Sequence, residues 1–96
     1  SITAPGQLAS HYAPNAKVRL NVQTPTEGEV FLGFGDMVCD LNCAETGNVV
    51  EAAEKLCAAM NQLDEQAKPI AVAPIPEIGI GIAINDRLRR AAAPRD

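Results

Sequence analysis

The chain has 96 residues, of which 47% are hydrophobic and 3% aromatic, and its formal net charge is −4. This length suits one domain with a single core, so we expect no second domain. An acidic chain with few aromatic rings is poorly equipped for nucleic acid, which is bound through cations and stacking rings, and we expect no direct contact with it.

The first 16 residues carry proline, glycine and asparagine without a regular apolar period. Such composition favours an extended segment, so we predict a linker over residues 1–16 and a folded domain over residues 17–96. The chain begins with serine rather than methionine. We therefore expect a piece of a longer protein.

Three extended segments are predicted next. Residues 17–23 alternate apolar and polar side chains, which is the period of a half-buried strand. Residues 29–34 form a short apolar run that stops in a glycine loop, and residues 37–42 resemble a further short strand. The chain up to residue 42 is therefore predicted to supply strands.

The segment 46–67 is predicted to be an amphipathic helix. Its apolar side chains recur at helical spacing and its charged side chains fall on the opposite side. Thr46, Gly47 or Asn48 can cap its first turn. The predicted buried positions are Val49, Ala52, Ala53, Leu56, Met60 and Leu63.

The last two elements are predicted to be a strand and a helix. Residues 69–74 are apolar on both faces, as expected for a central strand of a parallel sheet. A helix follows over residues 80–92, with Ile80, Ile84, Leu88 and Ala91 as its buried stripe. Its arginines complement the negative pole of the helix dipole, and with Arg95 they form the basic cluster Arg87, Arg89, Arg90 and Arg95.

Strands that alternate with helices predict an α/β fold, a small Rossmann-like domain with a mainly parallel sheet flanked by helices. Residues 70–84 form the longest candidate for a membrane span, but prolines, glycines and a glutamate interrupt them. We therefore expect no membrane insertion.

Two glycine motifs occupy positions that a dinucleotide fingerprint would use. Gly33-Phe34-Gly35 follows a predicted strand, and Gly79-Ile80-Gly81 opens a predicted helix. Neither motif continues to a third glycine, because Val38 and Ile84 stand there. Tight-turn geometry is favoured over nucleotide binding.

The cysteines and the single histidine do not assemble into a recognisable reactive site. Cys39 and Cys43 lack two further ligands at zinc-binding spacing, so all three cysteines, including Cys57, are interpreted as free and buried. His11 has no Ser and acid partners that would complete a triad. An odd number of cysteines without a signal peptide predicts a cytosolic protein, and no metal site is expected.

Segments at opposite ends of the chain carry a family resemblance. Residues 5–14 read Pro-Gly-Gln-Leu-Ala-Ser-His-Tyr-Ala-Pro, residues 73–77 read Ala-Pro-Ile-Pro-Glu, and residues 83–92 read Ala-Ile-Asn-Asp-Arg-Leu-Arg-Arg-Ala-Ala. The first segment resembles the interdomain linker of the longer threonylcarbamoyl-AMP synthases, whose catalytic domain is YrdC-like. The other two resemble the last strand and helix of that family's C-terminal domain, so the resemblance spans the chain.

This resemblance implies an accessory C-terminal domain. The YrdC-like domain, in cis, would convert ATP, L-threonine and bicarbonate into threonylcarbamoyl-AMP and pyrophosphate for tRNA modification. ATP with magnesium would serve the whole enzyme, whereas this fragment would hold no cofactor, no catalytic residue and no activity of its own. The linker is similar to a lid over the catalytic cavity, which makes Ser10, His11, Tyr12 and Pro14 the candidate lid residues.

Two readings from other classes stay open at this point. The α/β pattern and the Gly-x-Gly turns would also suit a stand-alone module that binds a nucleotide or metabolite. A purely structural or oligomerising domain is the other alternative, with the arginine-rich final helix as the first surface to consider.

Overall fold

The computed structural model describes residues 14–93 and has an α/β architecture. The described elements are β1 (Val18–Arg19), β2 (Val30–Gly33), β3 (Leu41–Asn42), α1 (Val49–Asp64), β4 (Ile70–Val72) and α2 (Gly81–Ala92). The strands and helices follow one another in the predicted order.

The strands form one parallel sheet in the order β1-β4-β2-β3. Ile70 of β4 lies in register with Val18 on one side and Val30 on the other. All residues of β4 are buried, which confirms the predicted central strand. The small α/β fold with a parallel sheet is likewise confirmed.

The two faces of the sheet are covered differently. One face packs against both helices and holds most of the core: Val18, Val30, Leu32, Ile70 and Val72 of the strands with Ala52, Leu56, Ala59, Met60, Leu63, Ile84 and Leu88 of the helices. The opposite face holds the smaller cluster Val22, Phe31, Ala71 and Ala73, with Phe34 and Cys39 packed against it. Loops contribute to this second cluster, and helix residues do not.

Helix α1 is shorter than predicted at both ends. Asn48 caps it, because its Oδ1 accepts from the backbone N–H of Val50 at 2.8 Å and of Glu51 at 3.3 Å. At the other end Ala67 adopts a left-handed φ of 57°, which ends the helical path. Of the predicted buried positions, Ala52, Leu56, Met60 and Leu63 are buried, whereas Val49 and Ala53 are partly exposed.

Helix α2 confirms most of its predicted stripe. Ile84, Leu88 and Ala91 are buried, but the prediction for Ile80 was wrong, since this residue precedes the helix and is 44% exposed. The helix begins one position later, at Gly81.

All four strands are shorter than predicted, and two of them keep only two residues each. The strand predicted over 17–23 keeps only two residues, because Asn21 takes a left-handed φ of 57° and bends the chain before Val22. The strand predicted over 37–42 is Leu41–Asn42 alone. Its first part is a loop in which Val38 is 94% exposed. Side-chain alternation did not reveal these backbone bends.

Candidate functional site

The candidate lid residues lie at the start of the chain. Ser10, His11 and Tyr12 fall outside the described residues, so the structure tests none of the three. Pro14 is the first described residue and is buried. The structure therefore shows how the end of the predicted linker joins the folded domain.

A carboxylate at the end of α1 holds this junction. The backbone N–H of Asn15 donates to Asp64 Oδ2 at 3.0 Å, and the N–H of Ala16 donates to Asp64 Oδ1 at 2.9 Å. One residue later the sheet begins, where the N–H of Ile70 donates to the carbonyl oxygen of Lys17 at 2.8 Å. Residues 15 and 16 are thus fixed to α1 before the chain enters β1.

Sequence reasoning missed Asp64. The sequence did hold one signal that this residue has a special role. It is an acidic residue in the last turn of a helix, where the dipole disfavours negative charge, and no basic residue stands in that turn. Its partners lie 48 and 49 positions away in the chain, so local pattern alone could not identify them.

A second candidate is the cleft beyond the carboxyl ends of β2 and β3, where ligands of open parallel sheets bind. It has a volume of roughly 680 Å³, and its charged lining side chains are Asp36, Asp40 and Glu45, all acidic. An acidic lining repels phosphate groups. The cleft is therefore poorly suited to a nucleotide.

The first glycine motif serves local packing. A Cβ on Gly33 would lie 2.5 Å from Cys39 Sγ, so no larger residue fits without displacement. Gly35 has a φ of 81° and donates its N–H to the carbonyl oxygen of Ala44 at 2.8 Å, while its own carbonyl accepts from Asn42 Nδ2 at 2.8 Å. These contacts support the tight-turn interpretation.

The second glycine motif serves the approach to α2. Gly79 takes a left-handed φ of 54°, and a Cβ on Gly81 would overlap the carbonyl oxygen of Pro76. The N–H of Gly81 donates to Ile78 O at 2.8 Å, and that of Ile82 donates to Gly79 O at 3.2 Å. Because these N–H groups bind carbonyls within the loop, they are not presented to an anion.

The backbone N–H groups at the start of α1 are also hydrogen-bonded within the protein. Asn48 accepts from two N–H groups through its side chain, and its carbonyl oxygen accepts from Ala52 N at 3.1 Å. Glu51 adds a negative charge to this first turn. An anion at this helix end would find the backbone N–H groups already hydrogen-bonded and a negative side chain beside them.

The three cysteines lie in three different environments. Cys43 is buried and its thiol donates to the carbonyl oxygen of Gly33 at 3.3 Å; burial raises the pKa of the thiol to about 11. Cys39 is half-buried and Cys57 is exposed, so the prediction of buried thiols was right only for Cys43. Within residues 14–93 no group of three or more His, Cys, Asp or Glu is arranged to hold a metal ion.

Two of the three described arginines of the cluster pair with neighbouring acids. Arg89 Nη1 lies 3.2 Å from Glu77 Oε2, and Arg90 pairs with Asp86 one helical turn earlier. Paired arginines of this kind are typical of a solvated helix surface. Arg95 lies outside the described residues.

Neither α1 nor α2, the helices in the part of the chain that the structure describes, is long and apolar enough to cross a bilayer.

Comparison with known proteins identifies the family. The model of the threonylcarbamoyl-AMP synthase C-terminal domain matches residues 1–93, a range that includes all three segments of the resemblance noted in the sequence. Searches among curated proteins and among solved structures returned no significant match. The match takes in nearly the whole chain, and the chain belongs to the family of threonylcarbamoyl-AMP synthase C-terminal domains.

Proposed function

We propose that this chain is the accessory domain of an L-threonylcarbamoyladenylate synthase that acts in tRNA modification. In this proposal a YrdC-like domain in cis converts ATP, L-threonine and bicarbonate into threonylcarbamoyl-AMP and pyrophosphate. The observation that carries it is the family match over residues 1–93, which includes the predicted linker as well as the folded domain.

The described surface supports placing the nucleotide on the other domain. The cleft at the carboxyl ends of the strands is lined by acidic side chains. The helix N-termini use backbone N–H groups internally. A domain with these features is better suited to positioning the linker than to holding ATP and its magnesium. The free cysteines agree with a cytosolic setting.

In this proposal the linker closes the catalytic cavity. His11 and Tyr12, with Ser10 beside them, would lie over the bound intermediate and exclude water from a mixed anhydride that water can hydrolyse. In this proposal Pro14 marks the point where the lid joins the accessory domain, in which it is buried.

The proposal is tested by comparing two proteins: this chain alone, and the same chain fused behind its catalytic domain. We expect the fusion to release pyrophosphate from ATP in the presence of L-threonine and bicarbonate, and the chain alone to release none. Turnover by the chain alone would contradict the proposal, as would a fusion that makes no threonylcarbamoyl-AMP.

The lid is tested in the fusion by Tyr12→Ala, with Gln7→Ala in the same linker as control. Pyrophosphate and threonylcarbamoyl-AMP are measured in the same samples. A leaky lid raises the amount of pyrophosphate released per molecule of product, because hydrolysis returns the intermediate to AMP, threonine and bicarbonate. An unchanged ratio with Tyr12→Ala would exclude this role for the residue.

A further inference from the structure

The two helices leave an apolar groove between them. The groove has a volume of roughly 250 Å³ and is lined by Ala53, Leu56, Ile80, Ala83, Ile84 and Arg87. Leu56 and Ile84 are buried in the core, whereas Ile80 is 44% exposed. The groove therefore carries apolar surface from the core out to solvent.

Exposed apolar side chains gather at the end of the groove where the helices begin. The described residues include six large apolar side chains that are exposed, and four of these stand at or just before the start of a helix: Val50, Ile78, Ile80 and Ile82. The two helix starts lie side by side, because a Cβ on Gly81 would lie 3.4 Å from Val49 Cγ1. Exposed apolar side chains that gather in one place mark an interaction surface.

One wall of the groove ends in a positive charge. Arg87 follows Ile80 by two helical turns and Ala83 by one, on the same side of α2. The other two arginines of this helix pair with Glu77 and Asp86. Among the described residues Arg87 has no ion pair and no side-chain hydrogen bond.

The facing wall carries the opposite charge. Spacings of three and four residues place one set of side chains on a single face of α1: Val50, Ala53, Glu54 and Cys57. Ala53 lines the groove, so this face borders it. Lys55 pairs with Glu51, and Asp64 accepts from backbone N–H groups. Glu54 is the charged side chain of α1 that has no partner within residues 14–93.

We propose that this groove, with the α1 face beside it, is the surface through which two copies of the chain associate. A two-fold axis would place Glu54 of one copy opposite Arg87 of the other, and the same contact would form twice. Val50 and Ile80 would be buried between the two charge pairs. A surface with one unpaired charge of each sign on opposite walls is complementary to itself, which favours a second copy over a different partner. This inference goes beyond the proposed function and does not depend on it.

Sedimentation equilibrium of the 96-residue chain measures the association. We expect a monomer at low micromolar concentration and a dimer as the concentration approaches millimolar. Glu54→Lys or Arg87→Glu alone would set like charges opposite each other twice, and each should raise the dissociation constant about tenfold or more. Glu27→Lys is the matched control, because Glu27 is an exposed acid in a turn outside both helices and its replacement should leave the constant unchanged.

Mixing the two variants distinguishes a contact between copies from a contact within one chain. In a mixed dimer the lysine introduced in one variant would face the glutamate introduced in the other, and the remaining Arg87 would face the remaining Glu54. We expect the equimolar mixture to associate about as tightly as the unaltered chain, although neither variant does so alone. A mixture that associates as weakly as its components would overturn the proposal.

Cys57 reports on the same surface without any substitution. Its thiol is exposed on the α1 face that borders the groove, whereas Cys39 packs against the opposite face of the sheet. Alkylation of Cys57 should slow in proportion to the dimer fraction as the concentration rises, and alkylation of Cys39 should not. An unchanged rate at Cys57 where a dimer sediments would overturn the placement of the interface. A chain that stays monomeric up to millimolar concentration would overturn the association and leave the proposed function standing.

Discussion

The two faces of the sheet are stabilised by different means. The helix-covered face buries large aliphatic side chains from five of the six described elements, including Leu32, Leu56 and Leu88. The loop-covered face buries two alanines, a valine and a phenylalanine. Burial of apolar surface contributes roughly 25 cal/mol per Å² to stability, and most of this surface lies on the first face. The second face has few large apolar side chains to bury.

Polar contacts supplement the loop-covered face. Arg19 donates two hydrogen bonds to Glu29, of 2.7 and 2.8 Å. Ala71 of β4 lies in register with Arg19 of β1 on one side and with Phe31 of β2 on the other. The Asp40 carboxylate accepts from the N–H of Phe31 at 2.7 Å. The stability of the helix-covered face should therefore respond to changes of side-chain volume, and that of the loop-covered face to changes of charge and loop geometry.

The largest expected difference is between two valines. Val30→Ala on the helix-covered face should lower the free energy of unfolding by about 2.5 kcal/mol, because a rigid, tightly packed core cannot collapse around the cavity. Val22→Ala on the loop-covered face should lower it by only about 1 kcal/mol, because a loop can relax. Both side chains are buried in the native protein.

Urea denaturation of the two variants measures this difference directly. Equal losses of unfolding free energy would show that the loops pack as rigidly as the helices, and the distinction between the faces would then fail.

Gly33→Ala tests the loop that covers Phe31. The added Cβ would lie 2.5 Å from Cys39 Sγ and 2.8 Å from Cys39 Cβ, and we expect a loss of about 2 kcal/mol in unfolding free energy. The double variant with Cys39→Ala should recover part of this loss, because the sulfur leaves while the Cβ remains. A neutral Gly33→Ala would mean that the loop moves freely.

The smallest effect is expected at Glu29. The hydrogen bond from Arg19 lowers the pKa of Glu29 to about 2, from about 4.3 in the unfolded chain. A carboxylate with a lowered pKa stabilises the fold above its unfolded pKa, and this contribution is lost as the pH falls from about 5 to about 2. Arg19 is 52% exposed, so solvent screens the pair and its contribution to the stability of the fold is small.

Glu29→Gln should therefore lower the unfolding free energy at pH 7 and have little effect near pH 2. Urea titrations at both pH values measure the effect, and the exposed Glu54→Gln serves as control. A loss that persists undiminished at pH 2 would show that the carboxylate charge is not its source.

Much of the fold was predictable from local pattern. The long helix, the central strand and the final helix each repeat one period over enough residues for burial to be inferred, and all three were found. Their ends were less well predicted, because they depend on single residues such as the cap Asn48 and the left-handed Ala67. The prediction of cysteine burial also failed for Cys39 and Cys57: free cysteine is usually buried, but Cys39 is half-buried in a loop and Cys57 lies on the exposed side of α1.

The candidate site was also predictable only in part. The linker signature and the family could be inferred from residues 5–14 and the last helix, and the family match agrees with that inference. The sequence suggested turns for both glycine motifs, but only the structure shows that Cys39 and Pro76 occupy the space a side chain would need. The acidic cleft joins residues from two loops and has no sequence signature.

The sequence by itself determined the α/β class, the amphipathic α1, the buried β4 and the family, because each is encoded in neighbouring residues through period or motif. Only the tertiary structure decided the strand order, the unequal faces of the sheet and the bonds between Asp64 and residues 15 and 16. These depend on contacts between residues far apart in the chain, which form when apolar burial brings whole elements together.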